Sequence, residues 1–187
     1  MKTLILLMAV VLVGCASGPE SISNSPEVEA ADAPAVAAVK KLGGLVLPWA
    51  GEKGAWEVEF HLRGRDLTDE GLSSVAALGN VVALNLRDTK ITGAGLTHLK
   101  GLTSLKRLHL ERTKVDDAGI ASLMGLSQLE YINLYGTGIS DKALDQLTGL
   151  KNLRKLYVWQ TKVTSEGVAK FKKARPEVKI VRGVNIN

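Results

Sequence analysis

The chain has 187 residues, 45% of them apolar and 23% charged, with 4% aromatic. That balance suits one soluble domain with a proper core and excludes collagen-like or intrinsically disordered chains. The formal charge of +5 is unevenly spread, and the single cysteine, Cys15, sits near the start; the rest therefore lacks both disulfides and thiolate metal ligands, and packing alone must hold it together.

Met1-Lys2 is a short positive start, and Thr3 to Val13 form an apolar run. About 20 apolar residues are needed to span a bilayer, so this run reads as the core of an export signal. It ends in Leu12-Val13-Gly14-Cys15. A general secretory signal explains the apolar run but not a cysteine directly after Gly14. The stretch resembles the lipobox of bacterial lipoproteins. That resemblance implies removal of residues 1–14 and lipidation of Cys15, an anchor worth about 0.8 kcal/mol per buried CH₂. Ala16 and Ser17 follow, with no aspartate. By resemblance to the enterobacterial sorting rule, this implies the outer membrane, facing the periplasm.

Residues 16–33 are rich in Ser, Pro, Ala and Glu, with four acids (Glu20, Glu27, Glu29, Asp32) and no base. Together with Cys15 they read as a flexible tether, residues 15–33. Of 24 basic residues only Lys2 precedes Lys40, and of 19 acids only those four do, so the remainder carries 23 bases against 15 acids. Asp32 before Pro34 predicts a helix start with a cap and a proline in the first turn. The helix should stop at Gly43-Gly44, where glycine takes the left-handed conformation. Leu45–Trp49 and Ala55–Leu62 predict two strands joined by the turn Gly51-Glu52-Lys53-Gly54. Residues 34–53 thus form a helix-hairpin cap.

Leu78, Leu102, Leu126 and Leu150 are 24 residues apart and each opens a unit LxxLxxLxLxxTxIxxxGLxxLxx. Phe60, Leu62, Leu67, Gly71 and Leu72 mark an earlier, more divergent unit. Five units over residues 54–173 predict a solenoid. The apolar pair at LxL has period two, hence a short strand, and positions such as Ile120 and Leu123 have helical spacing. A residue able to cap a helix recurs between them: Thr68, Thr92, Asp116, Ser140 and Thr164. Gly71, Gly95, Gly119 and Gly167 stand three further on, with Ala143 in the fourth unit. Glycine there costs up to about 1 kcal/mol of helix propensity, which close packing against the next coil offsets. The pattern resembles leucine-rich repeats of the TxITDxGL type common in bacterial envelope proteins. The resemblance implies an α/β solenoid with short parallel strands on the concave side and helices on the convex side. Residues 174–187 form the C-terminal cap, with a last strand over Val178–Val181. The basic run Ala169–Arg175 reads as a solvated cap face.

Thr92–His98 imitates part of a dinucleotide-binding GxGxxG, but His98 replaces its third glycine, and Gly95 recurs as Gly71, Gly119 and Gly167 in units with no phosphate-site context. Of the histidines, His98 falls on the helix side. His61 and His109 read as equivalent positions two units apart, roughly 10 Å from each other at the usual strand spacing and too far to share a metal. No nucleophile-base set, carboxylate pair, phosphate loop or cofactor site is legible, so a non-enzyme is predicted.

Alternate strand residues face outward in three columns. One reads Glu59, Ala83, Arg107, Tyr131, Lys155; a second His61, Asn85, His109, Asn133, Tyr157; a third Arg63, Arg87, Glu111, Tyr135, Trp159. Early strands thus present Arg63, Arg87, Arg107 and nearby Arg112, with His109 and Glu111 between. Late strands present Tyr131, Tyr135, Tyr157 and Trp159. Exposed Tyr, Trp and Arg together are the composition of interface hot spots. The expected function is a lipid-anchored binding module whose concave face meets a protein of the bacterial envelope, without cofactor or nucleic acid. Stacking on envelope polysaccharide or peptidoglycan is the alternative, a structural spacer another, and an enzyme using His61 or His109 a fourth.

Overall fold

The backbone repeats with the leucines. The structure, a computed structural model, describes residues 26–183. Seven short strands form one sheet in chain order: β1 (Leu45–Pro48), β2 (Trp56–Glu59), β3 (Val81–Asn85), β4 (Arg107–His109), β5 (Tyr131–Asn133), β6 (Lys155–Tyr157) and β7 (Lys179–Val181). β1 runs antiparallel to β2, and every later pairing is parallel. The return path of each coil carries α2 (Leu72–Ala76), α3 (Asp117–Ile120), α4 (Asp141–Leu147) or α5 (Ser165–Ala174), eked out by 3₁₀ turns at Asp69–Gly71, Gly95–Gly101 and Ala121–Leu123. Helix α1 (Pro26–Lys41) precedes them all.

Between sheet and helices the aliphatic columns close into one core. Leu84, Leu108, Ile132 and Leu156 at the strand centres are all fully buried, as are Ile91, Val115 and Ile139 beyond the turns. Each such side chain contributes about 1.5–3 kcal/mol when removed from water. The turn after each strand is closed from inside. The buried hydroxyls of Thr89, Thr113 and Thr137 donate to the carbonyls of Leu86, Leu110 and Leu134, at 2.6, 2.8 and 2.7 Å. That is the physical reason the repeat demands threonine there: a buried carbonyl needs a donor. The residue before each threonine turns left-handed: Asp88 (φ 59°), Arg112 (φ 55°), Gly136 (φ 68°), with Gln160 (φ 53°) in the last coil.

The expected caps take hold in the later coils. Gly119 N–H donates to Asp116 at 3.1 Å and Gly167 N–H to the Thr164 hydroxyl at 3.0 Å, while Ser140 accepts from Lys142 N–H. Thr68 caps the first 3₁₀ turn without a side-chain bond. In the second coil Thr92 accepts from Ala94 N–H, and the whole return segment stays 3₁₀. Gly93 and Gly95 withhold helix propensity there, so the expected one helix per coil is replaced by a mixture. The small residue three past each cap does sit where a side chain has no room, but the neighbour is the preceding coil, not the next. A Cβ on Gly95 would collide with Asp69, one on Gly119 with Gly93, and one on Gly167 with Asp141.

Three aspartates tie coil to coil. Asp69 accepts from Thr92 N–H and hydroxyl (2.8 and 2.5 Å), Asp117 from Ser140 (2.7 and 2.6 Å), and Asp141 from Thr164 (2.8 and 2.7 Å). Each carboxylate thereby satisfies an orphan donor of the following coil with charge-assisted bonds. Those bonds hold the Asp141 carboxyl below the usual carboxylate range.

The two ends differ from expectation. Helix α1 begins at Pro26, not after Asp32, so residues 26–33 are helix rather than tether; Pro34 lies inside it. Proline at the first helical position is already suited to a start, and Pro34 sacrifices one internal hydrogen bond. Asp32 caps nothing: its carboxylate accepts the Trp56 indole N–H at 2.6 Å, pinning α1 to β2. The stop is as expected, with Gly43 at φ +82° and Gly44 N–H bonded to the Val39 carbonyl. At the far end Arg175 is not solvated. It is 6% exposed, and its guanidinium donates to the carbonyls of Thr148, Leu150 and Lys151 at 2.9, 2.8 and 3.1 Å. It staples α5 onto the preceding coil. Lys170, Lys172 and Lys173 remain exposed.

Candidate binding face on the sheet

Strand register decides which side chains share the open face, and it corrects the first coil. Glu57 pairs with Ala83 and Glu59 with Asn85, while Phe60 N–H bonds the Asn85 carbonyl just as Leu86 N–H bonds that of His109. Phe60 therefore occupies the place of Leu86, and Leu62, expected inside, is 57% exposed. The turn His61–Asp66 carries two residues more than its counterparts, so matching by a fixed period of 24 slips by two. A slip of two preserves the face, but it moves each residue one column. His61 is thus level with Arg87 and Glu111, not with His109. Arg63 lies in the turn beyond β2, outside the register altogether. From β3 onward the expected columns hold: Arg107, Tyr131 and Lys155 pair in one row, His109, Asn133 and Tyr157 in the next.

The late strands bring the aromatic rings together. Tyr131 lies 5.6 Å from Tyr157 and 4.8 Å from His109, and Tyr135 lies 5.4 Å from Trp159, centroid to centroid. Cations stand over these faces: Arg112 at 5.6 Å from Tyr135, and Lys155 at 5.0 Å from Tyr157 and 6.0 Å from Tyr131. Burial, ahead of the nearby charges, pushes the Tyr131 hydroxyl above its ordinary pKa. Trp159 is 47% exposed, a large ring left to water. Arg107 is drawn the other way, its guanidinium 5.5 Å from the Trp49 ring of the N-terminal hairpin.

Beneath the rings a groove of about 330 Å³ opens, floored by Glu111 and Asn133 and walled by Tyr135, Tyr157, Trp159 and Arg112. Val181 and Gly183 of the C-terminal cap complete it. Glu111 is 7% exposed. Its Oε1 accepts from Asn133 Nδ2 at 2.6 Å and lies 2.9 Å from His109 Nδ1, while its Oε2 is buried without a partner. Asp88, on the rim, pairs with both Arg87 (3.2 Å) and Arg112 (3.1 Å).

Of the residues expected to form the surface, the groove unites Arg87, Glu111, Arg112, Tyr135, Tyr157 and Trp159, with His109 and Tyr131 alongside. Arg107 stands apart with Trp49, and Arg63 is absent from it. Asp88 escaped the sequence altogether, while Asn133 and Lys155 stood in the outward columns but outside the expected contact set. Asp88 follows the strand in a left-handed turn, where no period-two count looks. Cys15 and the expected signal lie outside the described residues. Among the described residues no helix is long and apolar enough to cross a membrane. Nor does any group of three or more His, Cys, Asp or Glu side chains there sit where it could hold a metal ion.

A family model described as "Leucine Rich repeat" matches residues 101–124, the third of the five units. No curated protein matches the chain. Among solved structures, the leucine-rich repeat ectodomain of the receptor kinase SOBIR1 from Arabidopsis thaliana aligns with a TM-score of 0.52 at 16% identity, over 82% of this chain and 93% of that one. Internalin C2 of Listeria monocytogenes is 28% identical over 58% of this chain, with a TM-score of 0.49; internalin F of the same organism is 17% identical over 88%, with a TM-score of 0.45. The chain spans 44% and 56% of the lengths of those two internalins. With the 24-residue units, the parallel sheet and the convex helices and turns, the fold is that of leucine-rich repeat proteins, an α/β leucine-rich repeat solenoid.

Proposed function

We propose that this protein is a non-enzymatic binding module, lipid-anchored through Cys15 in the bacterial envelope, that receives a protein partner on its concave face. The observation that carries this reading is the uncovered aromatic groove. Trp159, Tyr135 and Tyr157 stand around a floor of buried Glu111 and half-buried Asn133, so an incoming side chain finds rigid rings to pack on. Away from the groove, Arg107 beside Trp49 steers an acidic part of the partner. The likeness to the internalins and to the receptor-kinase ectodomain supports the fold alone. Stacking of an envelope glycan on the same rings is the second reading, favoured by the exposed Trp159 face. A spacer role needs no groove at all.

Capture tests the choice. Immobilise the full-length protein and a Tyr157→Ala/Trp159→Ala variant, confirm both folded by circular dichroism, and pass solubilised envelope over each. The expected result is a protein retained by the parent and lost by the variant, its retention falling as salt rises from about 50 to 500 mM because charge steering is screened. A glycan that is retained without salt sensitivity replaces the first reading by the second. Equal retention on both proteins removes the concave face from the function.

A further inference from the structure

Resting on the concave-face reading above, we propose that the groove floored by Glu111 takes a cationic side chain, a guanidinium or ammonium group, presented by the partner. The reason lies in the unpartnered oxygen. An ionised carboxylate only accepts hydrogen bonds, and Oε1 of Glu111 already serves Asn133 and His109. Oε2 is buried without a partner, on a side chain that lines a groove opening to solvent. A buried acceptor left in that state is costly, and a carboxylate most of all. A donor arriving from outside removes the penalty.

Three observations favour a charged donor over a neutral one. Neither nearby arginine neutralises Glu111, because Asp88 engages both Arg87 and Arg112; among the described residues no lysine or arginine lies within ion-pair distance of Glu111, whose neighbour is the imidazole of His109. Hydrogen bonds from a cation to a carboxylate are about twice as strong as neutral ones. Beside Arg112, the walls are the rings of Tyr135, Tyr157 and Trp159; aromatic quadrupoles attract positive charge, as this chain's own Arg112 over Tyr135 and Lys155 over Tyr157 show. The groove's about 330 Å³ fits one extended side chain, not a folded element. Arg87, at the rim, opposes the incoming charge and so gives the proposal a signature of opposite sign.

The test is a titration of full-length protein with N-acetyl-argininamide, its neutral isostere N-acetyl-citrullinamide, and chitotriose. The Trp159 indole N–H resonance reports occupancy. The arginine amide is expected to give a saturable shift, with the citrulline amide at least about tenfold weaker, the loss of roughly one charge-assisted bond. Glu111→Gln should weaken the arginine amide by a similar factor. Arg87→Gln should tighten it by about two- to threefold, a change that a purely structural role for these residues does not produce. Equal binding of the two amides, unchanged affinity in Glu111→Gln, absence of saturation with the arginine amide, or saturation by chitotriose alone would each overturn the proposal. If it falls while partner capture still depends on Tyr157 and Trp159, the concave-face reading stands and only the cation is wrong. If capture ignores those two residues, the reading itself has failed.

Discussion

The convex side of each coil and the concave sheet face treat their polar groups in opposite ways. On the convex side Asp69, Asp117 and Asp141 each accept two hydrogen bonds from the next coil. At the end Arg175 answers three carbonyls at once. On the sheet face Glu111 keeps one oxygen buried and unanswered, and Trp159 leaves half its surface in water. A solenoid needs every coil joined to its neighbour, which is what the convex bonds supply. Nothing in that requirement asks for an orphan carboxylate among aromatic rings. The difference separates residues that hold the stack together from residues left open for something else.

Breaking the convex side should cost stability and leave the groove intact. The largest effect is expected at Arg175→Leu, which strips donors from the carbonyls of Thr148, Leu150 and Lys151. A loss of about 3 kcal/mol follows from several buried acceptors going unpaired, read as a lower urea midpoint at unchanged slope. Asp117→Ala removes two charge-assisted bonds to Ser140 and should cost about 2 kcal/mol. The concave double variant Tyr157→Ala/Trp159→Ala sharpens the contrast: about 1 kcal/mol or less of stability, because Trp159 is half in water, yet loss of partner retention. A convex variant that abolishes retention while still folded would erase the distinction.

The smallest effect concerns pH. Hydrogen bonds from the Thr164 hydroxyl and N–H lower the folded-state pKa of Asp141 below its unfolded value near 3.8. A depressed carboxylate pKa contributes stability that is fully present above the unfolded value and is lost as pH falls through the folded one. Thermal melts from pH 5 down to pH 2 should therefore show a decline that Asp141→Asn partly flattens. A melt unchanged by that substitution at every pH would mean the carboxylate contributes nothing beyond its amide isostere.

The sequence carried the coils far better than the ends. Strands β4 to β6 and the caps Asp116, Ser140 and Thr164 stand where the 24-residue period puts them, because one aliphatic column cannot shift without exposing all the others. The first coil escaped that logic. Two extra residues in the turn His61–Asp66 exchange Leu62 for Phe60 in the core, and only backbone pairing reveals it. The start of α1 was hidden by Pro34, which local rules place in a first turn but which this helix tolerates eight residues in. Arg175 ended a run of lysines that is indeed solvated, and composition does not tell which member of a basic run turns inward. At the candidate site the rings were legible as a cluster, since strand parity fixes their face. The orphan oxygen of Glu111 was not, because it depends on what Asn133, His109 and Asp88 do with their own partners.

The most direct measurement is photo-cross-linking in intact cells. A photoreactive phenylalanine derivative replaces Tyr157 on the sheet face in one strain and Lys142 on convex helix α4 in another. A discrete adduct from position 157 and none from position 142 is the expected result. An adduct from position 142 alone, or the same adduct from both, would contradict the claim that the concave groove is where this protein meets its partner.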